Sequence, residues 1–455
     1  MNLSLFKISS GKLLIPLLLC GLGLAAQNHL YNTEQFGIDG AMLGGAVVSG
    51  TDDVSMTFYN PASIHEVPSQ FSVSIIQPRI TTFGFKEFWE SNGSSPLNID
   101  FSQKPDLISF KFKIRDLDLA FLKISKSEFS DVFSTEQELT NINRQATQYF
   151  DYEYSGEDDW FGLGSNIQFG PNLYFGLSQF VRSFKFSYGN SVFLEELDVN
   201  QNNQLVQFFD FKFDGSYSNI GFVTKIGFLL DTNAHDVGFT ITSPTYLRFR
   251  RSGNFFNANA SVLNGEITVD QVIDNEINPI IKTPWVFNLG YSLTLNSNQK
   301  IWLNTSYHTK IAEYDMAIAS TLGTNTNWRN GSKSVLNFSL GYSHSINANL
   351  HLSGAIRTNN FAYENIAPRQ GSVRNTIFDG NHIHYVVGSK LRFNRSTVLL
   401  GVDYGTLNSI PDEENFQRSS NIDLLSPNLS SLKKNNLSFL LTYGFILDSI
   451  RKSGN

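Results

Sequence analysis

Cysteine is almost absent: Cys20 is the only one in 455 residues, so no intramolecular disulfide can form and stability has to come from packing and strand pairing. Charge is scarce as well. Asp, Glu, Lys and Arg make up 16% of the chain, against about 25% in ordinary soluble domains. Beyond residue 26 no run of 18 apolar residues occurs, which excludes membrane-spanning helices. A net charge of −7 without a basic stripe gives nucleic acid nothing to hold. Neither a Gly-x-Ser-x-Gly elbow nor a phosphate-binding loop is present. His65-Glu66 starts like a zinc-protease helix, but Ser69 stands where the second histidine belongs and Pro68 breaks the helix. His382 and His384 share a strand face with no cysteine to join them. The expectation is no enzyme, no cofactor and no metal, with acidic clusters such as Glu157-Asp158-Asp159 read as solvated loop tips.

What the chain does have is aromatic residues, 39 Phe and 17 Tyr, set in period-two alternation. From Trp285 to Asn296 the odd positions are Trp, Phe, Leu, Tyr, Leu and Leu, and the even ones are mostly small or polar. One apolar and one polar face is what a lipid-facing barrel strand requires. The same pattern predicts strands near 70–79, 105–114, 117–125, 159–169, 172–181, 217–230, 236–249, 284–296, 299–310, 334–346, 349–358, 381–393, 396–406 and 436–447. Short turns such as Gly170-Pro171-Asn172 and Asn394-Arg395 alternate with long loops near 80–104, 126–158, 182–216, 250–283, 311–333, 359–380 and 407–435. The fold class is therefore all-β, a transmembrane antiparallel barrel of about fourteen strands, an even number with short turns at one end and long loops at the other.

Residues 1–26 read as a signal peptide, with Lys7 and Lys12 before the apolar run Leu13 to Leu24 and a cleavage site at Ala25-Ala26 that would remove Cys20. Residues 27–69 would then form a plug, 70–447 the barrel and 448–455 a tail. A fourteen-strand barrel is too wide for wall side chains alone to fill, so a plug has a physical task.

From Gly40 to Ala62 the chain reads GAMLGGAVVSGTDDVSMTFYNPA, small residues through Ala46, then Asp52-Asp53, then Phe58-Tyr59-Asn60-Pro61-Ala62. Small residues allow close backbone approach, and Asn-Pro halts regular structure. In that order, behind a leader and ahead of a strand-patterned region, the stretch resembles the N-terminal hatch of the FadL family, outer-membrane transporters of long-chain fatty acids and other hydrophobic compounds. The hairpin around Lys225 to Leu229 and His235 to Tyr246, with its Ser243-Pro244 pair, and the Pro-led strand from Thr283 to Tyr291 are similar to elements of that family. The resemblance implies a passive channel in the outer membrane of a Gram-negative cell. Its partners would be fatty-acid-like molecules and outer-membrane lipids, and its hatch residues Asn60, Pro61, Ala62, Asp52 and Asp53. Relatives of this barrel resemble components that hold substrate proteins of a secretion system, so a protein-binding scaffold is the alternative. Two departures stand out: the third strand, Leu117 to Ser125, lacks the Gly or Pro of a kinked gate, and Asp448 to Asn455 follow the last strand where an aromatic terminus is usual.

A long-chain acid needs a cation near its carboxylate and an apolar sleeve for its tail. Lys111, Lys113, Lys225, Arg248, Lys390 and Arg392 fall on inward faces or loop bases. They either bind ligand or pair with lumen acids such as Asp236 and Asp403. Phe255 and Phe256, in the loop 250–283, are expected either to capture ligand or to pack within that loop.

Overall fold

A computed structural model describes residues 30–31, 35–74, 78–85, 97–102, 106–115, 117–140, 144–202, 204–232, 234–263, 266–321, 324–362, 372–373, 379–409 and 432–447. The leader 1–26 and the tail 448–455 lie outside these residues.

Fourteen strands close a ring: β1 (Gln70–Ser74), β2 (Leu107–Ile114), β3 (Leu117–Thr140), β4 (Arg144–Gln168), β5 (Leu173–Asp198), β6 (Gln204–Leu230), β7 (His235–Thr242), β8 (Val286–Asn296), β9 (Gln299–His308), β10 (Val335–Asn347), β11 (Leu350–Asn359), β12 (His382–Phe393), β13 (Ser396–Ser409) and β14 (Leu432–Ile446). Each pairs antiparallel with its sequence neighbours, and Gln70 opposite Ile446 closes β1 on β14. Alternation sets the two faces. On β8 Leu289 is 55% exposed on the outside while Ser292 is fully buried inside, and on β10 Leu336, Phe338 and Leu340 point out where Asn337 and Ser339 point in. The outside is thus an apolar belt suited to lipid, and the strand ladders run around the closed ring.

The long loops are the main correction. Much of 126–158 and 182–216 is strand: β3 to β6 run 24 to 27 residues each, or roughly 80–90 Å at about 3.4 Å per residue, where a membrane crossing takes about 9–11. Residues 250–283 add Tyr246–Leu263 and Glu266–Ile277 to that sheet, Arg79–Phe85 and Leu97–Ser102 form a hairpin against β14, and Ile311–Thr321 pairs with Thr324–Ser332. The physical reason for the difference is visible on β5. Below Phe180 its inward residues are Gly176 and Ser178 and its outward ones Leu173 and Leu177. Above it the inward residues are Phe184, Phe186 and Tyr188 and the outward ones Ser183, Lys185 and Ser187. The period is unchanged but the phase inverts once the strand leaves the lipid.

Residues 35–69 fill the lumen. Two short helices, α1 (Ile38–Met42) and α2 (Met56–Tyr59), and a 3-10 turn at Pro61–Glu66 form a unit whose core is Leu43, Ala46, Val47, Val54, Met56, Tyr59 and Ile64. The wall accommodates it with inward-facing glycines. A Cβ on Gly176 would lie 2.1 Å from the Pro61 carbonyl carbon, one on Gly238 1.9 Å from the Val48 oxygen and one on Gly290 2.7 Å from the Ser49 nitrogen. Glycine inside a strand marks such a backbone approach.

Candidate functional site

Asn60 is where the plug is fastened. It caps the 3-10 turn from an extended backbone, φ −149° and ψ 102°, with Pro61 as the first turn residue. Its Nδ2 donates to the carbonyls of Val48 (2.7 Å) and of Phe228 (3.0 Å) in β6, and its Oδ1 accepts from the Ala62 amide at 3.1 Å. One buried side chain thus ties two plug segments to the wall. Asn60→Ala removes both donor bonds and leaves the Ala62 amide without its side-chain acceptor, and about 1–3 kcal/mol of seating energy is expected to go with them. Faster hydrogen exchange at residues 48–62, with unchanged heat-modifiable migration of the barrel, is the expected result.

Charge fastens the opposite side. Lys390 on β12 reaches Asp39 at 2.8 Å and Asp52 at 3.0 Å, and Arg392 reaches Asp52 at 2.6 Å. Asp53 turns inward to the plug, accepting from the amides of Asp39 (3.0 Å) and Ser55 (3.1 Å). Burial pushes Asp39 up to about 7 despite Lys390 and raises Asp53 too, whereas Lys390 holds Asp52 below the usual carboxylate range. Lys111 bonds the Val67 carbonyl and pairs with Asp118 at 3.0 Å.

Above the plug, toward the long-loop end, lies a cavity of ≈ 100 Å³. Phe36, Phe58, Trp160, Val223 and Val286 give it an apolar side, and Tyr31, stacked on His308 at 4.4 Å, borders it as well. Lys225 and Lys126 face it. Lys225 bonds the Phe58 carbonyl and sits 4.3 Å from that ring's centre, and Lys126 lies 5.7 Å from the Trp160 ring. Among the described residues neither ammonium has a carboxylate within 4.0 Å. Arg182, by contrast, is neutralised by Asp158 through bonds of 2.6 and 3.0 Å, with Trp160 donating to the same carboxylate at 2.9 Å.

The sequence candidates therefore separate. Lys225 lines the cavity. Lys390 and Arg392 take the pairing role, with Asp39 and Asp52 as partners in place of Asp236 and Asp403, which are held by Lys300 (2.8 Å) and Arg357 (2.7 Å). Lys111 also serves the plug, while Lys113 is exposed at the short-turn rim. Arg248 is half-buried beside Gly221, and among the described residues its Nε and Nη2 have no hydrogen-bond partner. Phe255 is 2% exposed within the strand Tyr246–Leu263 and Phe256 is half-buried. His384 bonds Asp403 at 2.9 Å, and His382 bonds Asp379 at 2.6 Å. Sequence reasoning missed Lys126, Asp158, Arg182 and Asp39. Asp158 looked like a solvated tip because the inward phase of β4 beyond the lipid was not recognised.

No family model and no curated protein matches the chain by sequence. Solved structures do match by shape. The Pseudomonas putida toluene transporter TodX has 13% identity and a TM-score of 0.59, with 92% of this chain and 100% of that one covered. The Ralstonia pickettii toluene transporter TbuX has 12% identity and a TM-score of 0.56, covering 92% and 100%. A Pseudomonas aeruginosa FadL homologue has 10% identity and a TM-score of 0.54, covering 93% and 99%. The plugged fourteen-strand ring of this chain has the fold of the FadL family of hydrophobic-compound channels.

Proposed function

We propose that the protein is an outer-membrane channel for passive entry of hydrophobic molecules that carry an anionic head, of the fatty-acid class. The observation that carries this reading is the pair Lys126 and Lys225, two ammonium groups without a carboxylate partner facing a cavity with an aromatic side. An ammonium held away from water needs an anion, and a ligand carboxylate supplies one. Shape neighbours such as TodX are named for toluene, a neutral cargo, which gives such cations no counter-ion. An engineered cavity of about 150 Å³ holds one benzene, so ≈ 100 Å³ takes only the head and first carbons of a long chain. The tail then runs up the buried aromatic ladder of Phe184, Phe186, Tyr217 and Tyr154, whose adjacent rings are 4.7 to 6.5 Å apart. In this reading that ladder, rather than Phe255 and Phe256, receives the tail.

Entry would start at the long-loop end, outside the cell, and finish when the plug shifts at the short-turn end in the periplasm. Lys390, Arg392, Asp39, Asp52 and Asn60 act as the fastening that has to yield. Protease added to intact cells is expected to cut near Val199–Gln201, at the tip of the β5–β6 hairpin, and to spare the turn at 169–172; cleavage at that turn would reverse the orientation. The test of cargo class is extraction of the purified protein and identification of bound lipid, with acidic amphiphiles the expected finding and neutral hydrocarbons alone the contrary one.

The scaffold reading has one observation in its favour: the strand Glu266–Ile277 on the extended sheet exposes Ile267 and Val269. Co-purification of a stoichiometric protein partner without bound lipid would favour it.

A further inference from the structure

We propose that His65, Glu66 and Asp231 form a binding site for a divalent transition-metal ion of the zinc class, which pins the plug to the wall at the periplasmic mouth. The three side chains bring one ligand atom each to within 4.8 Å of one another. They come from two bodies. His65 and Glu66 end the plug's 3-10 turn, and Asp231 opens the turn between β6 and β7, where its amide donates to the Asn172 carbonyl at 2.9 Å.

The histidine is prepared as a ligand. Its Nδ1 lies 3.0 Å from the Ala62 carbonyl, which fixes the proton on that nitrogen and leaves the lone pair on Nε2. Its ring is stacked flat on Tyr174, 3.5 Å between centres and 9° between planes, so it cannot swing away. Nε2 then faces the Asp231 carboxylate at 3.9 Å. That is too long for a direct hydrogen bond, which ends near 3.5 Å, and leaves room for a bridging atom. Metal ligands bound at about 2.0–2.2 Å in tetrahedral array lie roughly 3.3–3.6 Å apart, so side-chain rotation of about 1.5 Å closes the cluster.

Charge and donor type select the ion. A neutral imidazole and two carboxylates carry −2, which a divalent cation balances, and a nitrogen donor favours zinc-like ions over calcium or magnesium, which prefer oxygen alone. The Glu66 carboxylate packs close against the Gly50 backbone, where a Cβ would fall 2.5 Å from Glu66 Oε1. A zinc-protease pattern places its second histidine along one helix, whereas here the third ligand, Asp231, comes from a distant turn.

The test uses the purified, tag-free mature protein, stripped with chelator and titrated with zinc chloride by calorimetry. The expected result is one zinc per chain, with affinity lowered at least ~10-fold in His65→Ala and in Asp231→Asn and unchanged in His235→Ala, a nearby exposed histidine. Zinc should also slow hydrogen exchange across residues 60–67 in the wild type and not in Asp231→Asn, whose barrel migration serves as the folding control. Binding at less than one equivalent, equal affinity in all four proteins, or exchange indifferent to zinc would overturn the site. None of these readouts depends on the transported cargo.

Discussion

Adding a single methyl group at position 238 is expected to unseat the plug while the wall still closes. Gly238 lies on β7 opposite Gly290 on β8, and both face the plug segment Val48-Ser49. A Cβ at 238 would sit 1.9 Å from the Val48 oxygen and 2.6 Å from its carbonyl carbon. Backbone cannot rotate out of the way as a side chain can, so the plug must move. Forcing one methyl into a packed contact costs about 1–3 kcal/mol, which corresponds to roughly a 5- to 150-fold rise in the unseated population. Displacement would also pull the Asn60 side chain off the Val48 and Phe228 carbonyls. Gly238→Ala should therefore raise hydrogen exchange throughout residues 38–66 and increase leakage of a small polar antibiotic, at normal barrel abundance. Gly354→Ala is the control. The nearest atom to a Cβ there is 3.5 Å away, and nothing should change. Equal behaviour of the two variants would remove the close-packed plug from the account.

The second large effect is expected at the cavity. Lys126→Met removes an ammonium while keeping a flexible chain of similar length beside Trp160. Lys225→Met does the same beside Phe58 but also frees the Phe58 carbonyl, which loosens the plug. Lys126 is thus the cleaner probe. A charge-assisted bond contributes about 1.5–3 kcal/mol net, so each substitution should weaken binding of a long-chain carboxylate roughly 10- to 100-fold. The uncharged alcohol of the same length should lose little in Lys126→Met. Trp160 lines the cavity, and its fluorescence, with the other four tryptophans replaced by Phe, gives the readout. An equal loss for acid and alcohol would mean that the lysine shapes the cavity without meeting a head group.

How far the sequence reaches is clear from particular residues. The wall was legible because lipid on one side and lumen on the other impose one phase: Leu289, Leu336 and Val387 outside, Ser292, Asn337 and Lys390 inside. Where β3 to β6 leave the lipid that phase inverts, so Ser127, Asp158 and Lys185 carry a loop-like pattern although the strand continues. Asn60-Pro61 was visible as a stop in the chain, since Pro restricts the residue before it. Its bond to Phe228 was not visible, because it is made across the lumen to a strand far along the chain. The same holds for Lys390 with Asp39 and Asp52. Alternation puts Lys390 inside, but only the seated plug decides which acids meet it. The inward glycines at 176, 238 and 290 were in plain sight, and their meaning depends on knowing what backbone approaches them.

The most direct measurement of the central claim is the affinity of the wild-type protein for dodecanoate set beside that for dodecanol, followed by calorimetry in detergent at one ionic strength. Lys126 and Lys225 together predict that the acid binds at least ~100-fold more tightly, with the gap falling to under ~10-fold in Lys126→Met combined with Lys225→Met. Equal binding of acid and alcohol by the wild type, or tighter binding of the alcohol, would contradict an anion-selective channel.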